Sequence, residues 1–264
     1  MITDEFFAPG SNVTMFLDRF VRGQENLPLT TGSVSGLPRV WPRNGESGVG
    51  ARPSLLFSDL PDPSSSDTPS RYPTSDAILQ LIERCSASDS VPIFGVSGCG
   101  KTRGMIELLS RYWGFYFNAA GDDLGSGDIT TLVYKLKLRL QPDREANNRR
   151  ARTMTYLLLL SRLKILQHCL TISGNHQTFT SARWTILQTC SHVLFNDIFH
   201  ELFERLLHIV YQYQTSSTES VLVAAVQIEF HATRQLLGKL GGLPSFRDSD
   251  KLLVAHDEAQ ILAR

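Results

Sequence analysis

The residues with the most specific chemistry are residues 95–102, which read GVSGCGKT and match the spacing G-x-x-x-x-G-K-[ST]. The three glycines let the backbone turn tightly and approach a ligand without a Cβ in the way. The backbone N–H groups of such a loop, and the N-terminus of the helix that follows it, attract anions. The spacing therefore predicts a loop that binds the phosphates of a nucleotide.

The last two residues of this motif add a cation and a hydroxyl group. Lys101 can reach the β- and γ-phosphates, where it would also assist catalysis, and the Thr102 hydroxyl can ligate Mg²⁺. The alternative is a glycine-rich turn that matches by chance. The predicted nucleotide-binding residues are Gly95, Val96, Ser97, Gly98, Cys99, Gly100, Lys101, Thr102 and Arg103.

A second candidate motif lies near the end of the sequence, where residues 252–256 (LLVAH) precede Asp257 and Glu258. An apolar strand that ends in Asp-Glu is typical of a magnesium-dependent nucleotide site. Asp257 would hold Mg²⁺, usually through water, and Glu258 would be the catalytic base that polarises the attacking water. The pattern alone is weak, because apolar runs of this kind also precede helices. Downstream of a phosphate-binding loop, it predicts a site for a nucleoside triphosphate, ATP or GTP, together with Mg²⁺; ATP is the cofactor that we expect.

The elements that must position these residues follow a strand–loop–helix order. Residues 91–94 predict a short buried strand, residues 102–113 have helical apolar spacing, and residues 114–120 predict a second, aromatic-rich strand. Open α/β sheets bind ligands at the carboxyl ends of their strands. Two roles stay open for Asp128, which follows the second strand: an N-cap for a helix at residues 129–140, or a neighbour of the nucleotide.

Long helices are predicted for most of the following sequence, near residues 144–172, 179–213 and 218–240. These helices are too long for an ordinary crossover between two strands of one sheet. We therefore predict a helical insertion at about residues 129–242, to which a protein partner could bind.

The first 72 residues differ in composition from the rest, because nine of the twelve prolines fall within the first 73 positions. Such a segment buries too little apolar surface to offset its ordering entropy, so residues 1–72 are predicted to be mostly disordered. Residues 13–21 predict a short helix, either a docking peptide or a transient helix. Order is expected from Pro73 to residue 264, with Ser75 as the N-cap of the first helix.

Charge and cysteine usage exclude several classes of protein. Lysine plus arginine and aspartate plus glutamate both number 26, so no net field favours binding to nucleic acid or to a membrane. The four cysteines are widely spaced and contain no C-x-x-C pair, which favours reduced thiols in an intracellular, cytoplasmic protein. No signal peptide and no membrane span are predicted.

Two further clusters have alternative interpretations. Polar residues recur every four positions and could hold a metal ion or could form the solvated side of a helix; they are His192, Asn196, His200, Glu204 and His208. A basic cluster could contact nucleic acid or could be a solvated helix start; it comprises Arg144, Arg149, Arg150 and Arg152. The solvated interpretation is favoured for both clusters.

Taken together, the motifs resemble those of P-loop NTPases with a catalytic glutamate, the division that includes AAA-like and STAND-like ATPases. More narrowly, residues 94–103 (FGVSGCGKTR), 113–117 (WGFYF) and 257–260 (DEAQ) resemble the NTPase domain of crinkler-type proteins and related uncharacterised fungal proteins. The resemblance covers about residues 75–264. It implies an α/β fold class: a P-loop three-layer core with an incomplete parallel sheet and a large helical insertion.

The resemblance also implies a function, an ATP-hydrolysing switch, with a nucleotide-dependent interaction module without useful hydrolysis as the alternative. His256 occupies a strand position that is usually apolar in the family, and a buried neutral histidine with one hydrogen-bond partner is expected there. The family's next strand, with a polar sensor residue, and its arginine fingers have no counterpart before Arg264. We therefore expect a C-terminally truncated chain that binds nucleotide weakly and hydrolyses it slowly or not at all.

The thiol of Cys99 offers a direct test of the loop. A cysteine beside a helix N-terminus is expected to have a lowered pKa and raised reactivity. We expect alkylation of Cys99 to block nucleotide binding, and ATP with Mg²⁺ to slow the alkylation, as measured by mass spectrometry of the labelled peptide. Equal labelling with and without ATP would instead identify Cys99 as an inert small residue.

Overall fold

The computed structural model describes residues 2–25, 39–40, 52–53, 60, 73–84, 92–93, 100–119, 126–174, 178–212, 218–239 and 252–257. The elements in chain order are α1 (Ile2–Phe6), α2 (Asn12–Val21), β1 (Arg39–Val40), β2 (Arg52–Pro53), α3 (Pro73–Arg84), α4 (Lys101–Arg111), β3 (Gly114–Asn118), α5 (Gly127–Leu138), α6 (Arg144–Ser173), α7 (Ser181–Leu194), α8 (Ile198–Gln212), α9 (Thr218–Lys239) and β4 (Leu253–Asp257). The described part is mostly helical, with a small parallel sheet of two strands, β3 and β4. β1 and β2 form a separate antiparallel pair.

Helix α2 belongs to the core, so the prediction of a transient helix at residues 13–21 is wrong, and α1 and α2 are ordered within the segment that was predicted to be mostly disordered. Its apolar residues recur at helical spacing, and Phe16, Leu17 and Phe20 are at most 1% exposed. Burial of each such side chain contributes about 1.5–3 kcal/mol, which is enough to hold a ten-residue helix that the proline-rich composition of its surroundings concealed. The side chain of Ser11 caps α2 by accepting a hydrogen bond from the Thr14 N–H.

The C-terminal end of α2 is fixed by side chains from around α7. Arg183 donates to the carbonyl of Phe20 at 2.8 Å, and Thr178 donates to the carbonyl of Val21 at 2.8 Å. These bonds satisfy carbonyl groups that a helix end would otherwise leave without partners.

Most of residues 26–72 and most of residues 91–99 lie outside the described residues.

Helix boundaries follow the predictions in part. Helix α3 begins at Pro73, a favoured first helical residue, so Ser75 lies inside the helix and is not its N-cap. Pro92 and Ile93, the two described residues of the expected first strand, belong to no strand of the described structure. The helix predicted at residues 179–213 is two helices, because the Asp197 side chain accepts from the His200 N–H and caps α8. The helices near 144–172 and 218–240 are confirmed as α6 and α9.

The sheet joins two distant parts of the chain. β3 and β4 are parallel, with Gly114 opposite Leu253 and Asn118 opposite Asp257. Only a glycine allows this approach, because a Cβ at residue 114 would lie 2.5 Å from the carbonyl oxygen of Leu253 and 2.7 Å from Cδ2 of Leu109. α4 packs against both strands.

Side chains of α7 cover the other edge of β3. The Tyr116 N–H donates to Oε1 of Gln188 at 3.0 Å, and Nε2 of Gln188 donates to the carbonyl of Gly114 at 3.2 Å. Nε1 of Trp184 donates to the same carbonyl at 2.7 Å. The amide group of Gln188 therefore makes the hydrogen bonds that a neighbouring strand would make. The Gly114 carbonyl and the Tyr116 N–H on this edge of β3 are thus satisfied inside the protein.

A buried ion pair lies between the sheet and the helices. Arg162 in α6 is 1% exposed and donates to Asp128 from Nε at 2.8 Å and from Nη2 at 3.0 Å. Its guanidinium also lies over the rings of Phe117 and Phe199, at 4.9 and 4.2 Å. Burial lowers the pKa of Arg162, and the Asp128 carboxylate opposes that shift.

The ion pair corrects the interpretation of Asp128. Ser126, not Asp128, occupies the N-cap position of α5, so the prediction of an N-cap is wrong. The Asp128 side chain is fully buried, bonded to Arg162 and to the Ile129 N–H, and therefore does not face a ligand. Its partner lies 34 positions away, so short-range patterns contain no sign of the pair.

We expect Arg162→Met to lower the free energy of unfolding by about 3–5 kcal/mol, because it leaves a buried carboxylate without its partner. Asp128→Leu should cost a similar amount, whereas the double variant should cost clearly less than the sum. Urea unfolding of the four proteins measures the coupling. The exposed pair of Asp18 in α2 with Arg22, the C-cap residue of that helix, is the matched control, with an expected coupling below about 1 kcal/mol. Additive losses for Arg162 and Asp128 would contradict the buried pair.

Gly114→Ala is expected to reduce stability by about 1–3 kcal/mol, since the new methyl group meets the backbone of β4, which cannot move aside. Gly238→Ala in α9 is the control, because a Cβ there has no atom within 4 Å and alanine favours a helix by up to about 1 kcal/mol. Thermal and urea unfolding of both variants test the difference. Equal effects would show that the close strand pairing is not needed.

Candidate functional site

The N-terminus of α4 forms one side of the candidate site. Gly100 precedes the helix with φ at 86°, in the left-handed region that favours glycine. Gly100 occupies the N-cap position and has no side chain that could cap the helix. A Cβ added to residue 100 would meet no atom within 4 Å. Lys101, Thr102 and Arg103 form the first turn of the helix, and all three are half-buried. The positive end of the helix dipole therefore lies where the sequence predicts phosphate binding.

The carboxyl end of β4 forms the opposite side. Asp257 is the last residue of the strand and is 5% exposed. The Thr102 hydroxyl donates to Oδ2 of Asp257 at 2.7 Å, across 155 positions of sequence. The structure thus brings together the two residues that the sequence predicts as magnesium ligands.

A second hydroxyl converges on the same carboxylate oxygen. Tyr116 in β3 donates from its phenol to Oδ2 of Asp257 at 2.9 Å. Side chains alternate along a strand, so Tyr116 points to the face that α4 covers, whereas Phe115 and Phe117 pack into the main apolar cluster. Sequence reasoning recognised the strand but missed Tyr116 as a site residue. Alternation along the strand was the available signal.

Arg103 makes an ion pair within its own helix. Its Nε lies 2.7 Å from Oε1 of Glu107, one turn further along α4. The role of Arg103 in nucleotide binding stays a prediction. The other predicted site residues, which are Gly95, Val96, Ser97, Gly98, Cys99 and Glu258, lie outside the described residues.

The two described cysteines differ from the environment expected for Cys99. Cys169 and Cys190 are buried free thiols, and burial raises the pKa of both, that of Cys190 to about 11. Thiolate is the reactive form, so both should alkylate slowly. Labelling at Cys99 can therefore be separated from background reaction at these positions.

The side chains at the site fit Mg²⁺ by their chemistry. The Thr102 hydroxyl and the Asp257 carboxylate are hard oxygen ligands, and Mg²⁺ commonly takes one or two protein ligands together with substrate phosphates and water. Within the described ranges, no three histidine, cysteine or acidic side chains form a group that could hold a metal. The donor set therefore suits an ion shared with a phosphate ligand better than an ion held by protein alone.

His256 lies next to this site and differs from its prediction. Its side chain is exposed and stacks on Phe117, with ring centroids 5.2 Å apart. The prediction of a buried side chain is therefore wrong, whereas partial desolvation of the ring lowers the pKa of His256 and favours the predicted neutral form. β4 alternates between half-buried and exposed side chains, and His256 shares the exposed positions with Val254.

The remaining polar clusters form no second site in the part of the chain that is described. His192 lies in α7, whereas His200 and His208 lie in α8, so the break at residues 195–197 divides the stripe. His200 bonds to Thr131 at 2.9 Å. The described basic side chains near residue 150 are exposed or half-buried, and Arg152 pairs with two glutamates. None of the described helices has the length and apolar character needed to cross a membrane.

Comparisons of the chain with known protein families, with curated proteins and with solved structures found no match. Any functional conclusion therefore depends on the residues of this chain and on their geometry.

Proposed function

We propose that this chain is a nucleotide-binding protein of the P-loop type, which holds ATP and Mg²⁺ between the loop at residues 95–102 and the end of β4. The observation that carries the proposal is the 2.7 Å hydrogen bond from Thr102 to Asp257. A hydroxyl in the first turn of a helix and a carboxylate at a strand end are the two groups that a shared magnesium ion requires.

The local folding around this contact supports the proposal further. Gly100 has the left-handed conformation directly before the helix, and Lys101 is the first residue of that helix. Backbone N–H groups at this helix end would bind phosphate, and the Lys101 ammonium would neutralise its charge. The fold that we propose around this site is a P-loop three-layer core with an incomplete sheet and helices α5–α9 as the insertion.

The residues divide the expected chemistry among them. Bound Mg²⁺ would supply charge neutralisation at the phosphates. Thr102 and Asp257 would hold the ion, Lys101 would stabilise charge that develops on the phosphoryl oxygens, and Glu258 would take the proton of the attacking water. The activity that these residues would support is ATP hydrolysis in an intracellular protein, at the slow rate expected from the sequence.

The helical insertion supports a switch over a simple nucleotide store. Gln188 of α7 bonds to the backbone of β3 at Tyr116, whose own hydroxyl bonds to Asp257. A change in the contacts of the Asp257 carboxylate can therefore reach α7 through a single residue, Tyr116. We propose that helices α5–α9 respond to the bound nucleotide and present that response to a protein partner.

Titration with a fluorescent ATP analogue in Mg²⁺ tests the proposal. Lys101→Ala and Thr102→Val are expected to weaken binding about tenfold or more, because each removes a group that contacts the phosphate–magnesium unit. Thr171→Val is the matched control, because the Thr171 hydroxyl lies on α6 and bonds only within its own helix in the described contacts. ATP should also raise the unfolding temperature of the wild type.

Absence of ATP binding by the wild-type chain, or equal affinity in all of these variants, would contradict the proposed function. Hydrolysis is measured in parallel with Glu258→Gln. If the wild type hydrolyses ATP and Glu258→Gln does so at the same rate, the role assigned to Glu258 is wrong.

A further inference from the structure

The hydroxyl of Tyr116 is the least expected feature of the site. It donates to Oδ2 of Asp257 at 2.9 Å, and the same oxygen accepts from Thr102 at 2.7 Å. The phenol is buried, and Tyr116 is 4% exposed. Two donors from different elements thus hold one carboxylate oxygen.

The backbone of Tyr116 is fixed on both sides. One edge of β3 pairs in parallel with β4, and on the other edge the Tyr116 N–H donates to Gln188 at 3.0 Å. A phenol has only two side-chain torsions between this backbone and its hydroxyl. The hydroxyl of Tyr116 is therefore a rigid point, set by the sheet and not by a loop.

An aspartate without such support can rotate about both of its side-chain torsions. Thr102 alone gives one fixed point, and that point lies in the turn that would also meet the metal and the phosphate. A second donor from β3 fixes the plane of the carboxylate before any ligand arrives. Partners that orient a ligating carboxylate commonly affect metal affinity about 10- to 100-fold.

We propose that Tyr116 is a positioning residue for metal-dependent nucleotide binding: it orients Asp257 and does not touch the nucleotide. The inference depends on the proposed function, because it assigns Asp257 to the magnesium ion. A purely structural role for Tyr116 would instead be to satisfy a buried carboxylate in the fold. The two roles differ in whether the effect requires the metal.

Tyr116→Phe removes the hydroxyl and keeps the ring, so the packing against α4 is retained. The dissociation constant for a fluorescent ATP analogue is measured in EDTA and in Mg²⁺, and the value in EDTA divided by the value in Mg²⁺ reports the metal-dependent part of binding. In Tyr116→Phe we expect this ratio to fall about tenfold or more, and the Mg²⁺ concentration at half-saturation to rise by a similar factor.

Tyr211→Phe is the matched control, since it also removes the hydroxyl of a partly buried tyrosine, one that faces Met154 at 4.0 Å, away from Asp257. Its ratio should equal that of the wild type. Thermal unfolding without nucleotide shows whether each variant is folded, and Thr102→Val provides a second variant in which the ratio should fall.

The outcomes separate the two proposals. If the wild type binds the ATP analogue and Tyr116→Phe shows the same ratio of dissociation constants as the wild type, the positioning role alone is overturned. Equal weakening in Mg²⁺ and EDTA would assign Tyr116 to structure and would also overturn it. If the wild type binds no nucleotide in either buffer, the proposed function fails, and the inference fails with it.

Discussion

The parallel pairing of β3 with β4 is the constraint on which the rest of the structure depends. Parallel strands cannot be joined by a tight turn and need a crossover of about a dozen residues or more. Here the crossover contains helices α5–α9, so most of the helical part of the chain lies between the two strands. The pairing aligns the strand ends and places Asp257 beside the first turn of α4. Without this strand pairing, nothing else described would bring Asp257 within hydrogen-bonding distance of Thr102.

The two faces of this small sheet have different tasks. On one face Phe115 and Phe117 pack into the apolar cluster, and the guanidinium of Arg162 lies over Phe117. On the other face Tyr116 bonds to Asp257 under α4. Period-two alternation along a strand of five residues thus separates core from site. A shift of the strand register by one residue would exchange the two faces. Both the apolar packing and the hydrogen bond from Tyr116 to Asp257 would then be lost.

The sequence predicted the elements with strong local patterns and missed the long-range polar partners. β3, α6 and α9 have clear periodicity, and their positions were predicted to within about two residues. The helix at residues 12–21 was underestimated, because the composition of a long proline-rich segment outweighed ten amphipathic residues. The break before α8 was visible as Asn196-Asp197, a common capping pair, but continuous apolar spacing around it favoured a single helix.

The residues of the candidate site also divide into those that local patterns predict and those that only the fold brings together. Gly100, Thr102 and Asp257 could be named from motifs, because their residue types have a fixed chemical purpose at a fixed spacing. Tyr116, Gln188 and the Arg162–Asp128 pair have partners that only the fold brings near, and a tyrosine in a strand is most simply an apolar residue. Sequence patterns therefore predict the groups that would contact a ligand. They predict less well the groups that hold the contacting side chains in place.

The covering of the β3 edge by Gln188 and Trp184 has a consequence for the behaviour of the protein in solution. An uncovered strand edge is a template on which another chain can add a strand, and this is a common start of aggregation. In β3 that template is already occupied by an amide and an indole of the same molecule. A second molecule could pair with the Gly114 carbonyl and the Tyr116 N–H only by displacing these contacts, so the protection comes from two helical side chains instead of from an additional strand.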